Sequence, residues 1–280
     1  MTSLTATTFS RGRLAAVLRA ARGELGLIAA ILVVAGGALA FLGVADAVSD
    51  GHTKAFDQGL MLMLRHPGDI SRPIGPDWLR LAATDLTALG SIIVLALIVL
   101  VVMGLFAAQR RRLEAALLFG ACGSGLLMVN ILKSVFGRER PPVAMHAVEV
   151  GASSFPSGHA MLSAIVYLSL ATLVAHFAHR RRERTYALAA GAFVTLTVGA
   201  SRVYLGVHWP TDVMAGWALG AAWATLWWLI AWFFEHRRGR GAAILARAAG
   251  EEDREAMEGA SEQRTLRPPP PSPASPVLPP

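Results

Sequence analysis

The sequence predicts an all-α, polytopic membrane protein: a helical bundle with six transmembrane helices. Hydrophobic residues make up 54% of the 280 residues, charged residues only 16%, and the mean hydropathy is +0.48, a balance typical of membrane proteins. Six apolar segments come close to the roughly 20 residues that a helix needs to span a bilayer. They lie at residues 25–48, 90–107, 113–133, 159–178, 186–200 and 213–234. Short basic clusters at the ends of these segments are typical of topology signals.

The N-terminal part is predicted to be a basic cytoplasmic segment, residues 1–24, followed by a first transmembrane helix at residues 25–48. A cleaved signal peptide is the competing interpretation. The apolar core of a signal peptide usually has about 7–15 residues. Because the apolar run here is longer, the sequence favours a retained helix.

Residues 49–89 are predicted to form an extracytoplasmic or interfacial segment. The apolar residues on one face of a helix are Phe56, Leu60, Met61 and Leu64. This pattern predicts a short helix lying on the membrane surface. The stretch HPGDISRPIGPDW that follows contains three prolines and two glycines and is typical of a loop. Asp85 is expected to cap the second transmembrane helix.

Residues 85–235 are predicted to form the core of the protein, with five transmembrane helices. Basic clusters follow the second, fourth and sixth apolar segments, at residues 110–112, 180–184 and 237–240. With six helices these clusters and the N-terminal arginines fall on one side, which the positive-inside rule makes cytoplasmic. Both termini are therefore expected in the cytoplasm of a cell whose inner membrane holds the protein. Residues 236–280 are predicted to be a disordered, proline-rich tail.

The formal net charge of +7 does not indicate a nucleic-acid partner, because the basic residues stand at the ends of apolar segments. The single cysteine, Cys122, lies inside the third apolar segment, so it has no intrachain disulfide partner and is expected to pack among the helices. Gly216 and Gly220 have the GxxxG spacing that permits close helix approach. No oligomeric state is indicated.

Three polar stretches between the apolar segments are candidates for chemistry, and the first is SRVYLGVHWPTD at residues 201–212. A cation such as Arg202 is costly beside a membrane span unless it faces water or a counter-charge. If Pro210 opens the next helix, Asp212 lies in its first turn. The carboxylate could then bind one nitrogen of His208 and leave the other free for attack. A helix-capping histidine with a first-turn aspartate is an equally good interpretation of this stretch alone.

The second stretch is KSVFGRERPP at residues 133–142. Lys133 and Arg140 are seven residues apart, so both project from one face if the helix persists through Gly137. The alternative is that the two cations snorkel toward the interface. Arg138 and Glu139 are interpreted as solvated neighbours. Asn130, just upstream, is expected to form an interhelical hydrogen bond.

The third stretch, FPSGHAML at residues 155–162, enters the fourth apolar segment. Ser157 is a candidate N-cap, and the free N–H groups of Gly158, His159 and Ala160 would form an anion site. The alternative is simply a helix start. In the predicted topology all three stretches reach the extracytoplasmic face, which would be a coincidence if they were unrelated.

Together the three stretches offer the groups that phosphoryl transfer needs without a metal. Lys133, Arg140 and Arg202 would offset the charge on three equatorial phosphate oxygens, as Mg²⁺ does in nucleotide enzymes. One histidine would attack phosphorus in line. The other would protonate the departing oxygen.

The three motifs resemble the signature of the type 2 phosphatidic acid phosphatase superfamily. Residues 133–141 match Lys-x6-Arg-Pro, residues 156–159 match Pro-Ser-Gly-His, and residues 201–212 match Ser-Arg-x5-His-x3-Asp. The resemblance covers about residues 85–235. It implies a six-helix membrane fold, a site near the outer leaflet, and no required metal or other cofactor.

By similarity to that family, His208 would be the nucleophile that forms a phosphohistidine, Asp212 would orient it, and His159 would be the general acid. The residues expected to hold the phosphate are Lys133, Arg140, Ser157, Gly158 and Arg202. The resemblance implies a lipid phosphate substrate and contact with membrane lipids.

The resulting interpretation is an integral-membrane lipid phosphatase that acts on a lipid phosphate or diphosphate. Undecaprenyl diphosphate, phosphatidylglycerol phosphate and phosphatidic acid are the candidate classes, and a polyprenyl diphosphate is the first choice. Vanadium haloperoxidases resemble this family, but they are soluble, so the six apolar segments argue against that alternative. A non-catalytic lipid-phosphate binder or transporter is the other alternative. It is disfavoured because binding alone needs neither His208 nor His159.

Overall fold

Helices make up most of the protein in the computed structural model, which describes residues 11–148, 151 and 153–265. The α-helices of this part of the chain are α1 (Arg11–Ser49), α2 (Lys54–Met63), α3 (Asp77–Ala88), α4 (Ile92–Ala108), α5 (Arg112–Phe136), α6 (Gly158–Phe177), α7 (Arg181–Tyr204) and α8 (Pro210–Thr265). Two short strands, β1 (Arg65–His66) and β2 (Asp69–Pro73), pair antiparallel between α2 and α3. A 3-10 turn covers Val143–Met145.

In the described part of the chain, five helices are long and apolar enough to cross a membrane. They are Glu24–Ser49 within α1, the whole of α5, α6 and α7, and Pro210–Arg237 within α8. Helices α3 and α4 pass the same test as a pair bent by 47°, and counting the pair as one span gives six. The predicted fold class, an all-α multi-pass membrane protein, is confirmed.

The second transmembrane helix begins at a different residue from the one predicted. Ser91, not Asp85, caps α4, because the Ser91 hydroxyl accepts a hydrogen bond from the Val94 N–H at 3.3 Å. Asp85 lies inside α3, on its exposed side. The prediction was wrong because a separate helix, α3, comes before the break at residues 89–91 and contains Asp85.

The segment around residues 66–78 was predicted to be a loop but contains the β1–β2 hairpin. Gly68 provides the positive φ angle of 83° that the tight turn between the strands requires. The side chain of Asp69 accepts hydrogen bonds from both the N–H and the hydroxyl of Ser71. Local turn chemistry therefore closes a hairpin that composition alone does not reveal.

Helix α5 does not continue through Gly137. Gly137 follows its last residue, Phe136, in the left-handed conformation with a φ of 53°, which terminates a helix. The condition stated for Lys133 and Arg140, a helix that persists through Gly137, is therefore not met, and the two residues are not on one continuous helix. The chain instead carries Arg140 back toward Lys133 without helical structure.

Helix α8 approaches α6 closely at the two glycines singled out in the sequence. A Cβ atom on Gly216 would lie 2.8 Å from the carbonyl oxygen of Ser157, and one on Gly220 would lie 2.6 Å from that of Met161. Both distances are too short for a real side chain. The absence of a side chain thus brings the start of α8 against the start of α6.

The chain divides into two compact units, of which the first ends at Ala231 and the second begins at Trp232. The prediction of a disordered tail was wrong for residues 236–265, which are helical. This stretch is rich in Ala, Arg and Glu, which have high helix propensity. The proline-rich residues 266–280 and residues 1–10 lie outside the described part.

Candidate active site

A cavity of about 440 Å³ lies between the α3–α4 break, α5, α6, the end of α7 and the α7–α8 turn. The predicted site residues that line it are Lys133, Arg140, Gly158, His159, Arg202 and His208. The two others, Ser157 and Asp212, are fully buried and lie outside the lining. The fold therefore brings the three polar stretches together around one space.

The amino end of α6 forms one wall of the cavity. Ser157 caps the helix as predicted, since its hydroxyl accepts a hydrogen bond from the Ala160 N–H at 3.4 Å. Its own N–H donates to the backbone oxygen of Asp212 at 3.0 Å. A Cβ on Gly158 would lie 3.7 Å from Cε of Lys133. The positive end of the helix dipole and a lysine thus face the same space, which favours an anion.

Three cations reach the cavity from three different elements. Lys133 is in the last turn of α5, Arg202 is in the last turn of α7, and Arg140 is in the segment after α5. Backbone carbonyls hold Arg140: its Nη1 donates to Val207 at 2.6 Å and its Nη2 to Ser153 at 3.0 Å. Lys133 Nζ also donates to the Ser153 oxygen, at 3.4 Å. Neutral carbonyls leave the positive charge of both side chains available to a ligand.

Arg202 is the most buried of the three cations, with 4% of its surface exposed. Its Nη1 donates to the Thr87 hydroxyl at 3.1 Å, while its Nε has no hydrogen-bond partner among the described residues. Within the same residues none of the three cations forms an ion pair. A buried guanidinium with an unused donor is costly unless an acceptor binds it, so the cavity suits an anionic group.

His208 lies in the turn between α7 and α8, with 1% of its surface exposed. Pro210 begins α8 and Asp212 lies in its first turn, as predicted. Nδ1 of His208 is 3.4 Å from Oδ2 of Asp212, and Nε2 is 3.2 Å from Nη1 of Arg140. A guanidinium only donates hydrogen bonds, so Nε2 accepts and the ring proton is on Nδ1. This tautomer leaves a lone pair on the nitrogen nearer the cations.

Burial controls the charge of His208. Loss of solvent lowers the pKa of the His208 imidazole to about 4, although the Asp212 carboxylate acts in the opposite direction. The cations Arg140 and Arg202 lower this pKa further. The ring is therefore neutral near pH 7 and retains its lone pair.

The second histidine of the motifs, His159, is half-buried in the first turn of α6 and lines the cavity. A Cβ on Gly90 would lie 3.2 Å from Cδ2 of His159, so the α3–α4 break passes directly beside the ring. Among the described residues no group of three or more His, Cys, Asp or Glu side chains is arranged to hold a metal ion.

Sequence reasoning missed Arg138 and Asp57. Arg138, interpreted as a solvated neighbour, bridges two buried carboxylates: its Nη1 lies 2.5 Å from Asp212 and its Nη2 lies 2.7 Å from Asp57. A second arginine two positions before Arg140, and an aspartate in helix α2 four residues before the apolar Met61, were the available signals. Glu139 is exposed, as expected.

Asn130 lines the cavity, but its amide donates to the Leu126 carbonyl of its own helix at 2.8 Å. The prediction of an interhelical hydrogen bond for Asn130 was therefore wrong. Leu126 is one helical turn before Asn130, so the backbone of α5 itself provides the acceptor for the Asn130 amide.

In a comparison with known protein families, residues 113–236 match the model of the PAP2 superfamily. Phosphatidylglycerophosphatase B of Bacillus subtilis is 34% identical over 189 residues, which are 65% of this chain and 86% of that protein. An undecaprenyl-diphosphatase of Sulfolobus acidocaldarius is 41% identical over 68 residues, 24% of this chain and 29% of that protein. The crystal structure of a transmembrane PAP2 type phosphatidylglycerolphosphate phosphatase from Bacillus subtilis superposes with a TM-score of 0.62 at 27% identity, covering 71% of this chain and 96% of that one.

Proposed function

The chain belongs to the PAP2 superfamily and is a membrane lipid phosphatase, and from this premise we propose that His208 is the nucleophile that takes the phosphoryl group from the lipid. One observation carries the proposal. Nε2 of His208 accepts a hydrogen bond from Arg140, so its lone pair is on the side of the cations that would hold a phosphate. Asp212 lies at the other nitrogen and orients the ring.

Substrate binding would use the three cations and the first N–H groups of α6. The phosphate oxygens would accept hydrogen bonds from Lys133, Arg140 and Arg202, and these three positive charges would offset the negative charge of the phosphate. Arg140 Nη1 would turn from Nε2 of His208 to a phosphate oxygen. The same movement frees the lone pair of the nucleophile and neutralises the group that it attacks.

In the first chemical step the Nε2–P bond forms as the bond from phosphorus to the leaving oxygen breaks. Protonated His159 gives its proton to that oxygen, so the product is a lipid alcohol, or a lipid monophosphate when the substrate is a diphosphate. The proton on Nδ1 of His208 stays in place. Asp212 stabilises the positive charge that the phosphorylated imidazole carries.

In the second step neutral His159 takes a proton from water as the water oxygen attacks phosphorus. The Nε2–P bond breaks, inorganic phosphate leaves, and His208 is neutral again with its proton on Nδ1. His159 is protonated for the next turnover, so the two steps balance in atoms and charge.

The substrate we propose first is phosphatidylglycerol phosphate. The relative with this specificity in its name matches 65% of the chain, whereas the one named for undecaprenyl diphosphate matches 24%. This ordering differs from the sequence-based first choice, a polyprenyl diphosphate. We further propose that the site opens to the extracytoplasmic face of the inner membrane and that both termini are cytoplasmic. The basic clusters support this orientation.

The test is phosphate release by the purified full chain in detergent, with phosphatidylglycerol phosphate, undecaprenyl diphosphate and phosphatidic acid assayed in parallel. His208→Ala should lower kcat by about a thousandfold or more, the scale seen when a nucleophile is removed. His179→Ala is the matched control, since His179 is exposed and lies outside the cavity. Retained activity in folded His208→Ala would remove His208 as the nucleophile.

A further inference from the structure

We propose that Asp57 and Arg138 are positioning residues that hold the nucleophile through Asp212, and that they couple helix α2 to the active site. The proposal rests on the role assigned above to His208. Neither residue is part of the cavity lining. Their effect on the reaction would therefore pass through Asp212, without contact with the lipid.

The four side chains form one continuous series from four different elements. Asp57 in α2 lies 2.7 Å from Arg138, which follows α5, and Arg138 lies 2.5 Å from Asp212 in α8. Asp212 in turn lies 3.4 Å from His208 in the α7–α8 turn. A displacement of α2 would thus be transmitted to the histidine by ion pairs and hydrogen bonds.

The series is largely buried, and each of its charged side chains has hydrogen-bonding partners. The side chains of Asp57 and Asp212 are 1% and 0% exposed, and that of Arg138 is 15% exposed. Asp57 also accepts from the N–H of Thr211 at 3.0 Å and from its hydroxyl at 2.8 Å. Buried charges are tolerated when each has a partner with good geometry. This arrangement meets that condition, so it fixes the position of its members.

Asp212 is held at both carboxylate oxygens. Arg138 binds Oδ1, while Oδ2 accepts from the Ser154 hydroxyl at 2.7 Å and from the Trp209 N–H at 2.9 Å. A carboxylate held in this way does not rotate. Its Oδ2 is then directed at Nδ1 of His208, and the ring orientation follows.

The same series sets the local charge. Asp57, Arg138 and Asp212 together carry one net negative charge, which faces His208 from one side. From the other elements, Arg140, Lys133, Arg202 and His159 line the cavity that His208 faces. Loss of Asp57 would leave a neutral Arg138–Asp212 pair, which stabilises the positively charged phosphohistidine less well. Loss of Arg138 would leave two carboxylates without their shared partner.

Kinetic measurements on purified Asp57→Asn, Arg138→Lys and Arg138→Gln test the proposal. We expect kcat to fall by about 10- to 100-fold in Asp57→Asn, the scale known for residues that orient another functional side chain. KM should change less than about twofold because the cavity is intact. Arg138→Gln should lose more than Arg138→Lys, which keeps the charge. Asp69→Asn and Arg72→Gln, two exposed residues of the hairpin region, are the matched controls.

A second readout separates positioning from a purely structural role. In ¹⁵N-histidine spectra the His208 ring should titrate at a higher pH in Arg138→Gln, because a positive charge near Asp212 is gone, and at a lower pH in Asp57→Asn, because a negative charge is gone. A general loosening would admit water and move both titrations upward. Opposite shifts are therefore the signature of the proposed series.

The outcomes distinguish this inference from the function on which it rests. An inactive wild type, or an active His208→Ala, would contradict the proposed function itself. If those two behave as expected but Asp57→Asn and both Arg138 variants keep the wild-type kcat and the wild-type His208 titration, the positioning role is overturned. Should Arg138→Gln fail to fold, the nearly isosteric Asp57→Asn and the charge-retaining Arg138→Lys decide the question by the same criteria.

Discussion

The protonation state of a single residue, His208, links burial to chemistry. A histidine in water titrates near pH 6.5, but loss of solvent lowers the pKa of His208 to about 4. The neutral ring is the proposed nucleophile, and it is the dominant form at pH values above that pKa. Between about pH 4 and 6.5 an unfolded histidine binds a proton that the folded one does not. The contribution of His208 to the free energy of unfolding should therefore fall as the pH drops through this range.

The tautomer and the pKa of His208 can be measured together. In ¹⁵N-histidine spectra of the full chain in detergent, the His208 resonances are identified by their absence from the spectrum of His208→Ala. They should report a proton on Nδ1. They should titrate well below pH 6.5, since burial disfavours the charged ring. A proton on Nε2, or a midpoint at or above the ordinary value, would contradict the hydrogen-bond assignment.

At the scale of helices, close approach decides where the site lies. Helix α8 presents Gly220 to the backbone of α6, and a Cβ there would lie only 2.6 Å from the Met161 carbonyl. The two helices carry Asp212 and His159 in their first turns. Their contact therefore sets the distance between the helix that carries Asp212, proposed to orient the nucleophile, and the helix that carries the proposed acid, His159.

Gly220→Ala tests this contact. Overpacking of a filled interface costs about 1–3 kcal/mol, which exceeds the gain of up to about 1 kcal/mol from better helix propensity. The thermal midpoint in detergent should fall. Gly43→Ala in α1 is the control, because nothing lies within 4 Å of the added Cβ. Equal midpoints for the two variants would show that α6 and α8 are not in close contact.

At the scale of the whole molecule, the multi-pass topology collects the polar stretches on one side. When the bent α3–α4 pair is counted as one span, three membrane crossings separate the β1–β2 hairpin from the start of α7: the α3–α4 pair, α5 and α6. The hairpin and the α6–α7 connection are therefore expected on opposite faces of the membrane. The positive-inside rule assigns the hairpin to the extracytoplasmic side.

Labelling in spheroplasts tests this orientation. In a Cys122→Ser background, which removes the single native thiol, a membrane-impermeant maleimide should label Asp69→Cys without permeabilisation. It should label Glu183→Cys only after permeabilisation. Both positions are exposed. The reverse pattern would invert the proposed topology, and labelling of both positions from outside would contradict the number of crossings between them.

The membrane spans could be predicted from the length of the apolar segments and the placement of charged residues, because a helix must cover the hydrocarbon core whatever its neighbours are. The identity of the chemistry also followed from sequence, since the residue types and spacings of the three stretches specify an anion site and two histidines. Local signals were less reliable where several competed, as at Asp85, Gly137 and the α8 extension. There the helix end depends on turn and cap geometry that composition reflects poorly.

Sequence by itself thus determined the fold class, the membrane character and the residues that meet at the cavity. Only the tertiary structure decided how they are held. Arg138 gained its partners because α2 brings Asp57 to within 2.7 Å of it, a contact between positions 81 residues apart. The tautomer of His208 depends on Arg140, which comes from another element. Spacing along the chain records what one segment can do, whereas hydrogen bonds and ion pairs between distant segments exist only once the helices pack.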